Sequence, residues 1–73
     1  MHFVYILYNK ASGKYYIGYT ADIDRRIKEH RKDKPEYELV YSEKRSSESD
    51  ALKRETYFKS GNGRRALKVL LKQ

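Results

Sequence analysis

Seventy-three residues allow one domain with one modest core, and the absence of cysteine removes a disulfide framework or a cysteine-ligated zinc site as its reinforcement. Seventeen Lys and Arg against ten Asp and Glu give a formal charge of +7, which points to a polyanionic partner, a nucleic acid before a membrane surface. No apolar run approaches the roughly 20 residues of a membrane span, and no basic stretch leads into an apolar segment at the N-terminus, so a cytoplasmic protein without a span or signal peptide is expected.

Residues 3–8, Phe-Val-Tyr-Ile-Leu-Tyr, are apolar on both faces and read as a strand buried on both sides. Asn9 to Gly13 is a turn-rich connection of hairpin length, and residues 14–19 make a second, antiparallel strand in which Gly18 interrupts the side-chain pattern and leaves space on one face. Residues 22–32 read as a helix capped by Thr20 or Asp22, with Ile23 and Ile27 as its apolar stripe and Pro35 beyond its end. Glu38 to Lys44 suits a third strand, with Leu39 and Tyr41 on one side and Val40 and Ser42 on the other. Ser47, with Asp50 three residues on, opens a helix from about 48 to 60 that Gly61-Asn62-Gly63 stops as left-handed-tolerant residues do. Ala66, Leu67, Leu70 and Leu71 form the inner stripe of a last helix. The expected fold is α+β over residues 1–73 as a single domain: a three-stranded, mainly antiparallel sheet flanked by three helices, in the order β-β-α-β-α-α.

Helical geometry, at roughly 100° per residue, sorts the polar side chains. With Ile23 as reference, Ile27 lies at about 40°, Arg26 at about −60° and His30 at about −20°, so Arg26 and His30 border the buried stripe. Arg25, Lys28 and Arg31 fall on the solvated side. Arg26 can lay its stem along the core with its charge in water, and His30 can be a satisfied boundary histidine. In the next helix, with Ala51 as reference, Phe58 lies near −20° and Glu55 near 40°, inside the apolar arc. A carboxylate there needs a partner. It either pairs with an arginine such as Arg26 or faces a cleft and holds a metal ion. Tyr5 and Tyr16 lie on adjacent strands, and the hairpin register decides whether they share a face.

This ordered set resembles the GIY-YIG nuclease superfamily. Phe3-Val4-Tyr5 matches its first motif, with Phe3 where glycine is usual, and Tyr16-Ile17-Gly18 matches its second. The spacing Tyr16…Arg26…His30 follows, and Ala51-Leu52-Lys53-Arg54-Glu55 is similar to the helix that carries the family's metal-binding glutamate. The resemblance implies a small single-domain endonuclease hydrolysing phosphodiester bonds of DNA, with RNA left open as the polymer. It implies one Mg²⁺ or Mn²⁺ on Glu55, Arg26 on the phosphate, Tyr16 or Tyr5 accepting the proton of the attacking water, and His30 contacting phosphate or tuning the tyrosine. Tyr19, Arg25, Lys59, Asn62 and Arg64 are the expected nucleic-acid contacts. No segment is left over for a separate sequence-reading domain, so selectivity is expected from DNA structure, from a protein partner, or hardly at all. Two other readings stand beside it: a non-catalytic nucleic-acid-binding module on the same scaffold, and a protein-interaction domain with incidental charge.

Overall fold

The computed structural model describes residues 1–71. The chain runs β1 (His2–Asn9), β2 (Lys14–Thr20), α1 (Ile23–Asp33), β3 (Tyr37–Arg45), α2 (Glu48–Lys59) and α3 (Gly61–Leu70). The strands form one antiparallel sheet in the order β2-β1-β3. The continuous apolar run therefore lies on the central strand, and Val4 to Leu7 are all buried.

The hairpin is set by its turn. The Asn9 side chain accepts from the amides of Ala11 (2.9 Å) and Ser12 (3.3 Å). Gly13 closes the turn at φ +72°, a conformation that favours glycine. The resulting register places Tyr5 opposite Gly18 and Leu7 opposite Tyr16. Tyr5 and Tyr16 are thus diagonal neighbours on one face, not a direct pair.

The two faces are covered differently. Val4 and Ile6 point to the face where α2 and α3 pack, and they form the core with Ala51, Phe58 and Leu67. Tyr5 points the other way, to α1, whose His30 it meets. Asp22 caps α1 by accepting from the Arg25 amide at 3.1 Å, while Thr20 holds the Asp22 amide. Ser47 caps α2 in the same manner through Asp50. Glu43, which no sequence pattern singles out, ties β3 to α2. It accepts from Arg54 (2.7 Å), Tyr41 (2.7 Å) and Arg45 (3.1 Å). Burial would raise its pKa, but the bonds from Arg54 and Tyr41 outweigh that and hold it below the ordinary carboxylate value.

Three expectations are corrected. The β1–β3 register shifts between Ile6 and Leu7, where Ile6 faces Tyr41 but Leu7 faces Leu39. Val40 is the extra residue of a β-bulge, so Leu39 and Tyr41 point to opposite faces and Val40 joins Tyr41 against the core. Second, Gly61-Asn62-Gly63 does not stop α2 in a left-handed turn. Neither glycine has positive φ, and all three residues belong to the first turn of α3. Ser60 is both the last cap of α2 and the first cap of α3, accepting from the Gly63 amide at 3.2 Å. Third, Leu70 is exposed and only Leu67 of α3's apolar side chains is fully buried, because the short helix meets the core through Gly63, Leu67 and the flanking Leu71. Lys72, one of the chain's basic residues, lies outside the described residues.

Gly63 serves close approach, since a Cβ there would collide with the Tyr57 carbonyl and the Phe58 backbone. Gly63→Ala is expected to cost about 1–3 kcal/mol as an overpacking defect. That corresponds to a fall in melting temperature of about 4–8 °C per kcal/mol for a domain of this size. Thermal denaturation followed by circular dichroism checks it, and an unchanged midpoint would mean that the α2–α3 corner is looser than described.

Candidate active site

Gly18 positions the first functional side chain. It sits on edge strand β2 directly opposite Tyr5, and the Tyr5 hydroxyl lies 2.6 Å from where a Cβ at Gly18 would stand. With no side chain in the way, the Tyr5 ring crosses the edge strand and its hydroxyl reaches His30 Nε2 at 2.9 Å. His30 arrives there because α1 packs over this face with His30 on its buried side. Tyr16, two residues before Gly18, stacks on Tyr5 with ring centroids 6.3 Å apart and meets the His30 ring edge-on at 5.1 Å. Lys34, at the end of α1, places its ammonium 4.5 Å from the Tyr16 ring centroid, a cation–π contact. In the sequence Lys34 reads only as charge. The signal that could have found it is its place one turn after His30.

Tyr5 is buried and its pKa is pushed up to about 12, chiefly by burial and then by the neighbouring Tyr16. The charges of Arg26 and Glu55 both act on this hydroxyl, Arg26 lowering and Glu55 raising its pKa. His30 is driven the other way: burial first, then Lys34 and Arg26, lower its pKa from 6.5. It is therefore neutral at pH 7, and in the tautomer that carries its proton on Nδ1 it accepts from the Tyr5 hydroxyl at Nε2. Because its folded pKa lies below its unfolded one, the associated stability is present above about 6.5 and is lost as pH falls toward the folded value. Titration of the His30 ring resonances by NMR is expected to give a midpoint below 6.5. A midpoint at or above it would contradict the buried, cation-flanked setting.

Arg26 pairs with Glu29 at 3.6 Å, with both side chains near half exposed. Such a surface pair contributes little and is readily exchanged for a phosphate. Arg26, Glu29, His30, Lys32 and Asp33 line a shallow cavity of about 360 Å³. Of the two fates open to Glu55, the pairing with Arg26 does not form. Its side chain is 16% exposed on α2, and its one ion pair among the described residues is a long contact of 3.8 Å to the exposed Lys59.

Among the described residues no three His, Cys, Asp or Glu side chains gather as a metal-holding cluster. A multi-ligand cage of zinc or calcium type does not fit this donor set. One carboxylate suits an ion such as Mg²⁺, which keeps several waters and binds through one or two carboxylates plus substrate phosphates. Glu55 is a single carboxylate of that kind, and its charge raises the Tyr5 pKa.

Tyr5, Tyr16, Arg26 and His30 thus gather on the α1 side, with Glu55 acting on the same hydroxyl from α2. The other candidates lie elsewhere. Tyr19 packs against the core on the opposite face. Arg25 is exposed on α1 and Asn62 in the first turn of α3. Arg64 lines a separate cavity.

A family model described as the GIY-YIG catalytic domain matches residues 1–68. The chain is similar to a UPF0213 protein of Limosilactobacillus reuteri, 34% identical over 80 aligned positions covering 96% of this chain and 82% of the relative. It is also similar to a UPF0213 protein of Staphylococcus saprophyticus, 35% identical over 94% of this chain and 93% of the relative. Among solved structures, the solution NMR structure of a UPF0213 protein from Bacillus halodurans superposes with a TM-score of 0.63 at 35% identity, covering 94% of this chain and 83% of that one.

Proposed function

Because the chain belongs to the GIY-YIG catalytic-domain family, we propose that it is a divalent-metal-dependent endonuclease that hydrolyses phosphodiester bonds of DNA and selects its sites by DNA structure or only weakly by sequence. The observation that carries this reading is the 2.9 Å contact between the Tyr5 hydroxyl and His30 Nε2, beside the charges of Arg26 and Glu55 that act on the same hydroxyl.

Glu55 is the ligand for one Mg²⁺ or Mn²⁺, which when bound supplies Lewis-acid withdrawal of charge from the scissile phosphate. Arg26 leaves Glu29 and donates to the phosphate oxygens, favouring the charge that grows there in the transition state. Tyr5 accepts a proton from the attacking water. With a pKa of about 12 it does not wait as a phenolate, so its own proton passes to His30 Nε2 as the water proton arrives. The imidazolium formed returns that proton to solvent or to the departing oxygen. Tyr16 braces the Tyr5 ring by stacking, and Lys34 in turn sits over the Tyr16 ring.

Arg26→Ala is expected to lower the cleavage rate by about 10²–10³-fold with an unchanged circular dichroism spectrum, since only an exposed ion pair breaks. Unfolding of this variant would make Arg26 structural instead. Conversion of supercoiled plasmid to nicked or linear forms tests the activity itself. It should occur with Mg²⁺ or Mn²⁺ and stop in EDTA, and conversion unaffected by EDTA would overturn the metal-dependent reading.

A further inference from the structure

A second cavity lies on the other side of β2 from Tyr16. It has a volume of about 520 Å³ and runs between the β1–β2 turn and α3. Lys14 enters it from the turn, and Arg64 and Lys68 from one flank of α3, four residues apart. No carboxylate lines it, and none of these three cations has a salt bridge among the described residues. Three positive charges lining one cavity, with no counterion among the described residues, make a site for an anion. Its floor, Ile17 and Leu67, is apolar. Tyr15 stands at its side, 41% exposed, with its ring already held against Tyr8 at a centroid distance of 4.8 Å.

We propose that this groove binds an unpaired nucleic-acid strand, with phosphates on Arg64, Lys68 and Lys14 and a base stacked on Tyr15. Cations beside an ordered, exposed aromatic ring are the combination that holds single strands without reading their sequence. A duplex hides the base faces that such a ring needs. The inference rests on the nuclease reading for one point only, that the bound strand flanks the cleavage site. Tyr15 and Tyr16 are consecutive on edge strand β2 and project to opposite faces. A strand leaving the Tyr5–Tyr16–Arg26 side therefore has only that edge to pass, on the order of 10 Å, or about three nucleotides of rise. The preferred substrate is then a junction or flap whose unpaired arm lies in this groove.

The test is binding in EDTA, so that it is independent of cutting. Fluorescence anisotropy would follow a fluorescein-labelled single-stranded oligonucleotide and its blunt duplex. Arg64→Ser with Lys68→Ser is expected to weaken single-strand binding more than about tenfold and to reduce the slope of log K against log salt by about 1.4, two phosphates' worth. Tyr15→Leu should weaken single-strand binding about tenfold and duplex binding far less. The control pair Lys44→Ser with Lys53→Ser removes the same charge from exposed positions outside the groove and should have a smaller effect. Wild-type affinity and slope in the Arg64/Lys68 variant, an equal loss in the control pair, or an equal loss of duplex binding in Tyr15→Leu would overturn the groove. A protein that cuts no DNA but shows the expected losses keeps the groove and loses only the nuclease reading. One that cuts DNA while these variants bind as wild type does the reverse.

Discussion

Glu55→Gln is expected to lower metal-dependent cleavage under single-turnover conditions by about a thousandfold or more. Loss of a Lewis acid removes several kcal/mol of transition-state stabilisation, and each 1.36 kcal/mol is a factor of about ten. The amide keeps the size and shape of the side chain but is a poor ligand for a hard cation. The fold should scarcely notice. Glu55 gives up only its 3.8 Å pair with the exposed Lys59, of a kind that usually matters by less than about 1 kcal/mol. DNA affinity in EDTA should hold or rise, since one negative charge has gone from the phosphate's approach. Rate and affinity therefore separate in this variant. An unchanged rate would remove Glu55 from the site, and a parallel fall in rate and melting temperature would make it a structural residue.

Tyr5→Phe is the second large effect. The ring stays and keeps its stacking on Tyr16, but the hydroxyl that meets His30 is gone. If Tyr5 carries the water proton to His30, the rate falls by about 10²–10⁴-fold, the range of a positioned general base. Stability falls as well, by about 1–3 kcal/mol, because His30 Nε2 is left without its partner in a buried setting. The two effects are told apart by pH. In the wild type the rate should drop on the acid side as His30 takes a proton and can no longer accept one from Tyr5. His30 is depressed below 6.5, so this limb lies below that value. In Tyr5→Phe the limb should vanish. A mutant whose rate falls only in proportion to its unfolded fraction, with the acid limb intact, would show that Tyr5 supports the fold and moves no proton.

Much of this arrangement was legible in the chain, for identifiable reasons. A continuous apolar run reads as a strand buried on both faces, which the structure places at the centre of the sheet, and helical spacing placed Arg26 and His30 on the inner flank of α1 and set Glu55 inside the arc of α2. The register was not legible, because it depends on how Asn9 and Gly13 close the turn. The outcome, Tyr5 across from Gly18, explains that glycine as room for the Tyr5 ring. The bulge at Val40 leaves no mark in an apolar-polar pattern, since one inserted residue inverts the faces without changing composition. Gly61-Asn62-Gly63 misled because glycine was read for its conformational freedom. At Gly63 it serves for its lack of a side chain, and the punctuation comes from Ser60. The groove was not legible because it sets Lys14 and Tyr15 of β2 against Arg64 and Lys68 of α3, two elements that no local period links.

Whether this basic GIY-YIG fold cuts DNA is decided by single-turnover incubation with end-labelled single-stranded, duplex, flap and branched DNAs in Mg²⁺ or Mn²⁺. Metal-dependent cutting of at least one of them is expected, strongest where an unpaired arm meets a duplex. No cutting of any by the folded protein, with salt-sensitive binding retained, would contradict it and leave a nucleic-acid-binding module on a nuclease scaffold.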